Sequence, residues 1–134
     1  MIEPLSMAPT DSDYEEIRAL LARYCFAIDS RDGVAWAALF TEDGVFDFKM
    51  GEPVRGHEAL RGFIASVPSD RCHLTANEII EINGDRATVR AYALVTKESP
   101  PVISTVGAYE DQLVRTPEGW RFARRTFTRD SFRG

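Results

Sequence analysis

The length, composition and charge of the chain limit what it can be. Its 134 residues match the usual size of one domain, and 44% hydrophobic with 28% charged residues is an ordinary globular composition. A net charge of −5 disfavours nucleic-acid binding. No apolar run has the length of a membrane span, and two cysteines are too few for a disulfide framework or a cysteine-rich metal site.

The N-terminal residues predict a tail and a compartment. Residues 1–11 contain Pro4 and Pro9 and show no periodic pattern, so we expect a flexible tail followed by a single domain over residues 12–134. The start of the chain has neither the basic residues nor the apolar stretch of a secretory signal. We therefore expect a soluble protein of the reducing cytoplasm.

A long first helix is predicted directly after the tail. Ser12 and Glu15 have the spacing of a capping box, which predicts a helix start. Apolar residues then recur every three or four positions to about Ser30, as on one face of a helix. These residues are Ile17, Leu20, Leu21, Tyr24, Cys25 and Ile28.

Two shorter helices and a small hairpin are predicted next. The second helix covers residues 34–40, with a strand at residues 45–48 after it. Residues 51–56 form a turn with a short extended piece. A third helix runs from there until Pro68 stops it.

The second half of the chain predicts a sheet. Four strand-like runs follow one another, at residues 71–82, 87–96, 102–115 and 120–127. Tight-turn signals separate them, so an antiparallel meander is the simplest topology. The alternation of the first run shifts near Ile79 and Ile80, which predicts a bulge that bends the strand. The expected fold is α+β, with three N-terminal helices packed on a strongly curved, mainly antiparallel sheet that forms a cone with an internal pocket.

Asp29 is the first candidate for chemistry. It lies four positions after Cys25 and eight after Leu21, so it shares the buried stripe of the first helix. A carboxylate there is costly without a partner. Either Asp29 is hydrogen-bonded to the turn after the helix, or it is a buried carboxylate that orients a base or acts as one.

His73 is the second candidate. It shares a strand face with Thr75 and Asn77, and it is either a satisfied core residue or a general base. A carboxylate that accepts from one imidazole nitrogen leaves the other nitrogen free to take a proton. We therefore predict a hydrogen bond between Asp29 and His73, with Asn77 on the same wall. The carboxylate raises the histidine pKa above its usual value of about 6.5, whereas burial lowers it.

Arg124 is the third candidate, in the last strand. It shares a face with Trp120 and Phe122 if the alternation is regular, and an arginine there can stabilise a developing anion. The alternative is a register shift near Arg124 and Arg125 that turns both side chains to solvent.

No metal site and no cofactor are predicted. The chain has no HxH, HExxH or CxxC spacing, and no glycine-rich phosphate loop follows a strand.

Several runs resemble SnoaL-like proteins of the nuclear transport factor two-like superfamily. They are Arg23-Tyr24-Cys25-Phe26-Ala27-Ile28-Asp29, Asp32 with Trp36, Leu39-Phe40-Thr41-Glu42-Asp43-Gly44, His73-Leu74-Thr75-Ala76-Asn77, Tyr109-Glu110-Asp111 and Gly119-Trp120-Arg121-Phe122. The resemblance covers residues 13–130 and implies the cone, also known as a cystatin-like α+β barrel. Because this fold hosts several enzyme classes and binding modules, it does not fix the function.

Within that superfamily, Asp29 and His73 look like the dyad of the branch with scytalone dehydratase and hexachlorocyclohexane dehydrochlorinase. There the dyad takes a proton from carbon, and elimination follows without a cofactor. The resemblance makes Asp29 the orienting carboxylate, His73 the base and Arg124 a basic pocket residue. The dehydrochlorinase has a lysine near the position of Tyr24, so the reaction class transfers and the substrate does not.

These inferences predict a cofactor-independent lyase or isomerase, dehydratase-like or polyketide cyclase-like, that acts on a small hydrophobic or polycyclic molecule. Catalysis would use Asp29, His73, Tyr24 and Arg124. Asn77 and an aromatic set would bind the substrate: Trp36, Phe40, Phe48, Phe63 and Trp120. The alternatives are a non-catalytic small-ligand binding protein on the same cone, and an accessory subunit resembling the small subunit of ring-hydroxylating dioxygenases.

A homo-oligomer, either a dimer or a trimer, is also predicted. The long strands leave an outer sheet face, which we expect to carry Val89, Val95, Val114 or Phe127, and an exposed apolar face of that size usually marks an interface.

Overall fold

The structure is a computed structural model that describes residues 8–130. Within them the helices are α1 (Asp11–Asp29), α2 (Gly33–Ala37) and α3 (His57–Phe63), with a 3₁₀ turn at Ile64–Ser66. The strands are β1 (Phe40–Asp47), β2 (Val54–Arg55), β3 (Cys72–Asn83), β4 (Arg86–Lys97), β5 (Val102–Thr116) and β6 (Gly119–Arg129). Residues 1–7 of the expected tail and residues 131–134 of the expected domain lie outside the described part.

Helix α1 begins slightly earlier than the sequence pattern indicated. Thr10, not Ser12, is the N-cap, and its partner in the capping box is Asp13, not Glu15. The Thr10 hydroxyl accepts from the Asp13 amide at 3.1 Å, and the Thr10 amide donates to Asp13 Oδ2 at 3.0 Å. The reciprocal pair satisfies two free amides at the helix start, so the predicted tail boundary at residue 11 was late.

The second helix is shorter than predicted. It ends at Ala37, and Phe40 already belongs to β1. The reason is long-range pairing, because the Phe122 amide of β6 donates to the Leu39 carbonyl at 2.9 Å and Phe40 lies opposite Phe122. Tertiary pairing here overrides a local apolar spacing that fits a helix.

The six strands form one mixed sheet in the order β2-β1-β6-β5-β4-β3. Strands β3 to β6 are the predicted antiparallel meander, and β1 adds to β6 in parallel. A register shift between Ala76 and Ile79 bends β3, as the broken alternation predicted. The sheet curves around the helices and gives the α+β cone.

The inner face of the sheet explains why the cone can hold a cavity. The inward residues of β4 are all small or β-branched, and β5 adds a glycine near the mouth: Ala87, Val89, Ala91, Ala93, Val95 and Gly107. They leave room that larger side chains would fill. The aromatic core lies beside this space and includes Tyr24, Trp36, Phe46 and Phe122.

Three of the four residues that were expected on the outer face lie inside the cone, and the fourth, Val114, is half-buried on β5. Val89 and Val95 are buried inward-facing residues, and Phe127 packs against the core. The exposed apolar residues of the convex face include Leu74, Tyr92 and Ile103.

Candidate active site

Asp29 and His73 meet where the end of α1 crosses the start of β3. The Nδ1 atom of His73 lies 2.7 Å from Asp29 Oδ1, and the His73 backbone amide lies 3.1 Å from both carboxylate oxygens. Because β3 is an edge strand, the His73 amide can donate to the carboxylate and not to a neighbouring strand. Asp29 therefore holds His73 at two points, which fixes the imidazole ring.

The register of α1 against β3 places this pair. One helical turn before Asp29, Cys25 Sγ lies 3.4 Å from the hydroxyl of Thr75. Four helical residues rise about 6 Å, and two strand residues span about 6.6 Å. Four residues of α1 therefore cover nearly the same distance as two residues of β3, so Asp29 lies beside His73 and Cys25 lies beside Thr75. A third pair continues the series farther along, since Arg18 Nε lies 3.7 Å from Glu78 Oε2.

The surroundings keep His73 neutral near pH 7. Burial lowers the pKa of His73 below its ordinary 6.5 and outweighs the opposite effect of the Asp29 hydrogen bond and charge. With Asp29 accepting from Nδ1–H, the lone pair of the neutral ring is on Nε2. No residue in 8–130 hydrogen-bonds Nε2, so this atom is available as a base.

His73 lines a cavity of about 460 Å³, a volume typical of small-molecule sites. The apolar part of the wall comes from helices, strands and the 3₁₀ turn together. It includes Ile28, Phe46, Phe48, Met50, Phe63, Val67, Pro68, Val95 and Phe127. Phe48 and Phe63 thus lie where the sequence analysis expected a substrate.

Two tyrosines supply hydroxyl groups to the same wall. Tyr24, a predicted residue, and Tyr109, which the sequence analysis missed, both line the cavity. Burial raises the pKa of Tyr24 well above its usual range and that of Tyr109 to about 12. Both phenols are therefore neutral at any ordinary pH, and their side chains hydrogen-bond to each other. The inward alternation of β5 from Leu113 through Asp111 to Tyr109 could have identified the second one.

Three more polar residues of the wall were also missed. The side chain of Thr105 is buried, and Arg71 and Arg129 line the same cavity nearer to solvent. Arg71 lies two positions before His73, directly before β3 begins, which was a usable signal. Arg129 depends on the register of β6, which the sequence pattern did not reveal.

Arg124 does not line the cavity. Its guanidinium pairs with Asp47 at 2.7 Å, and Arg125 turns inward instead, with no exposed surface. The cause is a register shift in β6, where Phe122 lies opposite Leu113 but Arg124 lies opposite Gln112. The extra residue, Ala123, reverses the alternation. The register shift that the sequence analysis gave as the alternative occurs, but only Arg124 faces outward.

Four of the expected substrate-binding residues lie elsewhere. Trp36 and Phe40 are fully packed in the aromatic core behind the cavity. Trp120 is buried near the start of α1, where its Nε1 donates to Asp13 at 3.2 Å. Asn77 is exposed at the bulge of β3 with a φ of +58°, because the one extra residue in the bulge breaks the alternation that starts from His73.

Two features of residues 8–130 bear on a membrane span and on a metal site. No helix in this part is both long and apolar enough to cross a membrane. No three His, Cys, Asp or Glu side chains in it converge as metal ligands.

The cone, the aromatic cavity and the inward Asp–His pair define a protein of the nuclear transport factor two-like class. The SnoaL-like domain matches residues 10–126, so the chain belongs to the SnoaL-like family. This family assignment agrees with the resemblance noted in the sequence.

Three similar proteins support the fold, and the descriptions of these three name no reaction. Rv3472 of Mycobacterium tuberculosis, described as a protein of unknown function, is 38% identical with a TM-score of 0.84, over 92% of this chain and 79% of that one. An NTF2-like protein with a cystatin-like fold from Novosphingobium aromaticivorans is 29% identical with a TM-score of 0.84, over 92% and 85%. The uncharacterized protein Rv2910c of Mycobacterium tuberculosis is 29% identical over 126 residues, 88% of this chain and 86% of that protein.

Proposed function

We propose that the protein is a cofactor-independent lyase or isomerase that removes a proton from carbon in a small hydrophobic molecule. One observation carries this proposal. His73 Nδ1 is engaged by Asp29 at 2.7 Å, and His73 lines an aromatic cavity. An imidazole that is oriented, neutral and partly desolvated is a competent general base.

The proposed reaction uses residues of one wall. His73 Nε2 takes the proton from carbon, and Asp29 stabilises the imidazolium that forms. Tyr24 and Tyr109 form a hydrogen-bonded pair, and the remaining O–H of this pair donates to the oxygen or leaving group on which negative charge develops. In an elimination the electron pair expels the leaving group, and in an isomerisation the imidazolium returns the proton to another atom.

The ligand, the assembly and the compartment belong to the same proposal. The ligand is a small apolar molecule, because the cavity wall is mainly aromatic and aliphatic. A second copy of the chain would cover the convex face that carries Leu74, Tyr92 and Ile103. Cys25 and Cys72 are both free thiols, which is consistent with the reducing cytoplasm.

A generic substrate tests the base without knowledge of the natural one. In 5-nitrobenzisoxazole a base removes the C3 proton, the electron pair forms the nitrile, and the N–O bond breaks to release 2-cyano-4-nitrophenolate. We expect the protein to exceed free imidazole at equal concentration by about 10²-fold or more, and EDTA to leave the rate unchanged. The rate should rise with pH to a plateau, with its inflection below 6.5 because burial lowers the pKa of His73.

Matched histidine variants separate catalysis from general effects. His73→Gln should remove most of the rate, and Asp29→Asn should lower it by roughly 10²-fold or more, because an amide can present the wrong partner to Nδ1. The chain's other histidine, His57, contacts the Phe40 carbonyl at 2.8 Å and does not line the cavity. His57→Gln should therefore keep the rate. Activity of His73→Gln within threefold of the parent would refute the base assignment.

A further inference from the structure

The charges that line the cavity are all of one sign. The chain has 21 acidic and 16 basic residues, yet among residues 8–130 no Asp or Glu lines the cavity, whereas Arg71 and Arg129 do. The nearest carboxylates are engaged or lie to the side: Asp29 is behind His73, Asp70 pairs with Arg71, and Asp130 follows Arg129 outside the lining. The mouth is thus cationic in an acidic protein.

The two guanidinium groups are available to a ligand. Arg129 makes no side-chain hydrogen bond or ion pair within residues 8–130. Among the described residues, Arg71 pairs only with its neighbour Asp70, whose side chain is 53% exposed, and such surface pairs contribute little free energy. A planar guanidinium matches a carboxylate with two parallel hydrogen bonds, so an incoming carboxylate can replace or share these contacts.

A third polar group lies deeper, at a defined place on the sheet. His73 is opposite Val95, and Val95 is opposite Thr105. These side chains form one inward row across three strands, so His73 and Thr105 are separated by about 10 Å. Thr105 is buried, and its hydroxyl makes no side-chain hydrogen bond within the described part of the chain. It can bond a polar atom of a ligand that spans the row.

We propose that the cavity binds an amphipathic carboxylate: an aromatic or polycyclic body among the apolar wall residues, with a carboxylate at the mouth held by Arg71 and Arg129. The proposal rests on the proposed function only in placing the ligand in the same cavity. The apolar body reaches His73, and the carboxylate stays near solvent, where its desolvation is incomplete. The arginines thereby select anionic ligands over neutral ones of the same shape.

Binding of two isosteric probes tests the inference without turnover. At about pH 8, where His73 is neutral, 2-naphthoate and 2-naphthamide differ in charge and hardly in shape. Titration calorimetry should show 2-naphthoate binding about 10-fold more tightly, with the preference reduced by salt. Arg71→Gln and Arg129→Gln should each weaken the preference, and the double variant should abolish it.

Two controls make the result specific. Arg90 is exposed on β4 and does not line the cavity, so Arg90→Gln removes the same charge and should keep the preference. Arg86→Gln, at another exposed arginine of β4 outside the lining, should also keep it, and because the readout is binding, this outcome is independent of whether turnover is found. Equal binding of the two probes, no binding of either, or a preference that survives in the double arginine variant would overturn the proposal.

Discussion

The buried ion pair of Arg125 and Asp111 lies behind the cavity wall, and its contribution to the free energy of unfolding can be tested directly. The two residues lie opposite each other on β6 and β5, both side chains are 0% exposed, and Arg125 Nε donates to Asp111 Oδ1 at 2.9 Å. The guanidinium carbon lies 3.3 Å from the ring centre of Tyr109 and 4.3 Å from that of Tyr24. Arg125 Nη1 and Nη2 and Asp111 Oδ2 have no hydrogen-bond partner among the described residues.

Arg125→Met removes the cation and leaves a buried carboxylate. Breaking a buried pair by removing one partner costs about 3–5 kcal/mol, a large share of a total stability of about 5–15 kcal/mol. The carboxylate can escape part of this cost by taking up a proton. Burial already raises the pKa of Asp111 above its usual 3.8, and the loss of the opposing Arg125 charge raises it further.

Protonation of Asp111 makes the stability of Arg125→Met depend on pH. When the folded state holds a proton more tightly than the unfolded state, stability falls as pH rises between the two pKa values. The free energy of unfolding of Arg125→Met should therefore fall between about pH 4 and the raised pKa, by about 1.4 kcal/mol for each pH unit of that window. The double variant Asp111→Leu/Arg125→Met lacks both charges and should be within about 1 kcal/mol of the parent, without that slope.

Urea unfolding followed by tryptophan fluorescence measures all four proteins, since Trp36 and Trp120 are both 0% exposed. The single variants should each be several kcal/mol less stable than the parent, and the double variant should recover most of the loss, which gives a large coupling energy. The reasoning fails if Arg125→Met costs less than about 1 kcal/mol at pH 8, or if the two single losses simply add in the double variant.

Two further predictions concern the ends and the outside of the cone. Arg115 forms ion pairs with the buried Asp13 at 2.6 Å and with the exposed Asp85 at 3.0 Å. Asp13→Asn should therefore lower the free energy of unfolding by about 2–4 kcal/mol, and Asp85→Asn by less than about 1 kcal/mol. Equal losses of the two variants in thermal or urea unfolding would contradict this. Light scattering should give a particle heavier than the 15.0 kDa chain. Ile103 is 64% exposed on the convex face, and Ile103→Glu should shift the particle mass toward that of the monomer. A parent protein that is already monomeric would exclude an interface on this face.

The elements were predictable where local signals and tertiary pairing agree. The hairpin at Asn83-Gly84-Asp85 and the long alternating runs indicated the meander, and β3 to β6 follow it closely. The Asp29–His73 contact was predictable because two periodicities, one helical and one extended, point the residues at the same interior.

The wrong placements of Arg124 and Asn77 each come from one residue inserted in a strand. Ala123 in β6 exchanges the faces of Arg124 and Arg125, and the bulge in β3 moves Asn77 out of the row of His73. A bulge changes side-chain direction without an obvious change in composition. Trp36 and Phe40 were misplaced for another reason, since aromatic content alone does not distinguish a core from the wall of a cavity.

Under the proposed function, Asp29 serves chemistry more than stability, and its position in the fold gives a test of this. It ends α1, whose last turn carries no basic residue, and a carboxylate at a helix C-terminus is opposed by the helix dipole by about 0.3–1 kcal/mol. Its contacts with the His73 ring and amide offset that cost. Asp29→Asn should therefore change the free energy of unfolding by less than about 1 kcal/mol while the rate with 5-nitrobenzisoxazole falls by roughly 10²-fold or more. Such a separation between stability and rate is expected of a residue kept for its charge. A loss of several kcal/mol with little change in rate would instead make Asp29 a structural cap of the edge strand.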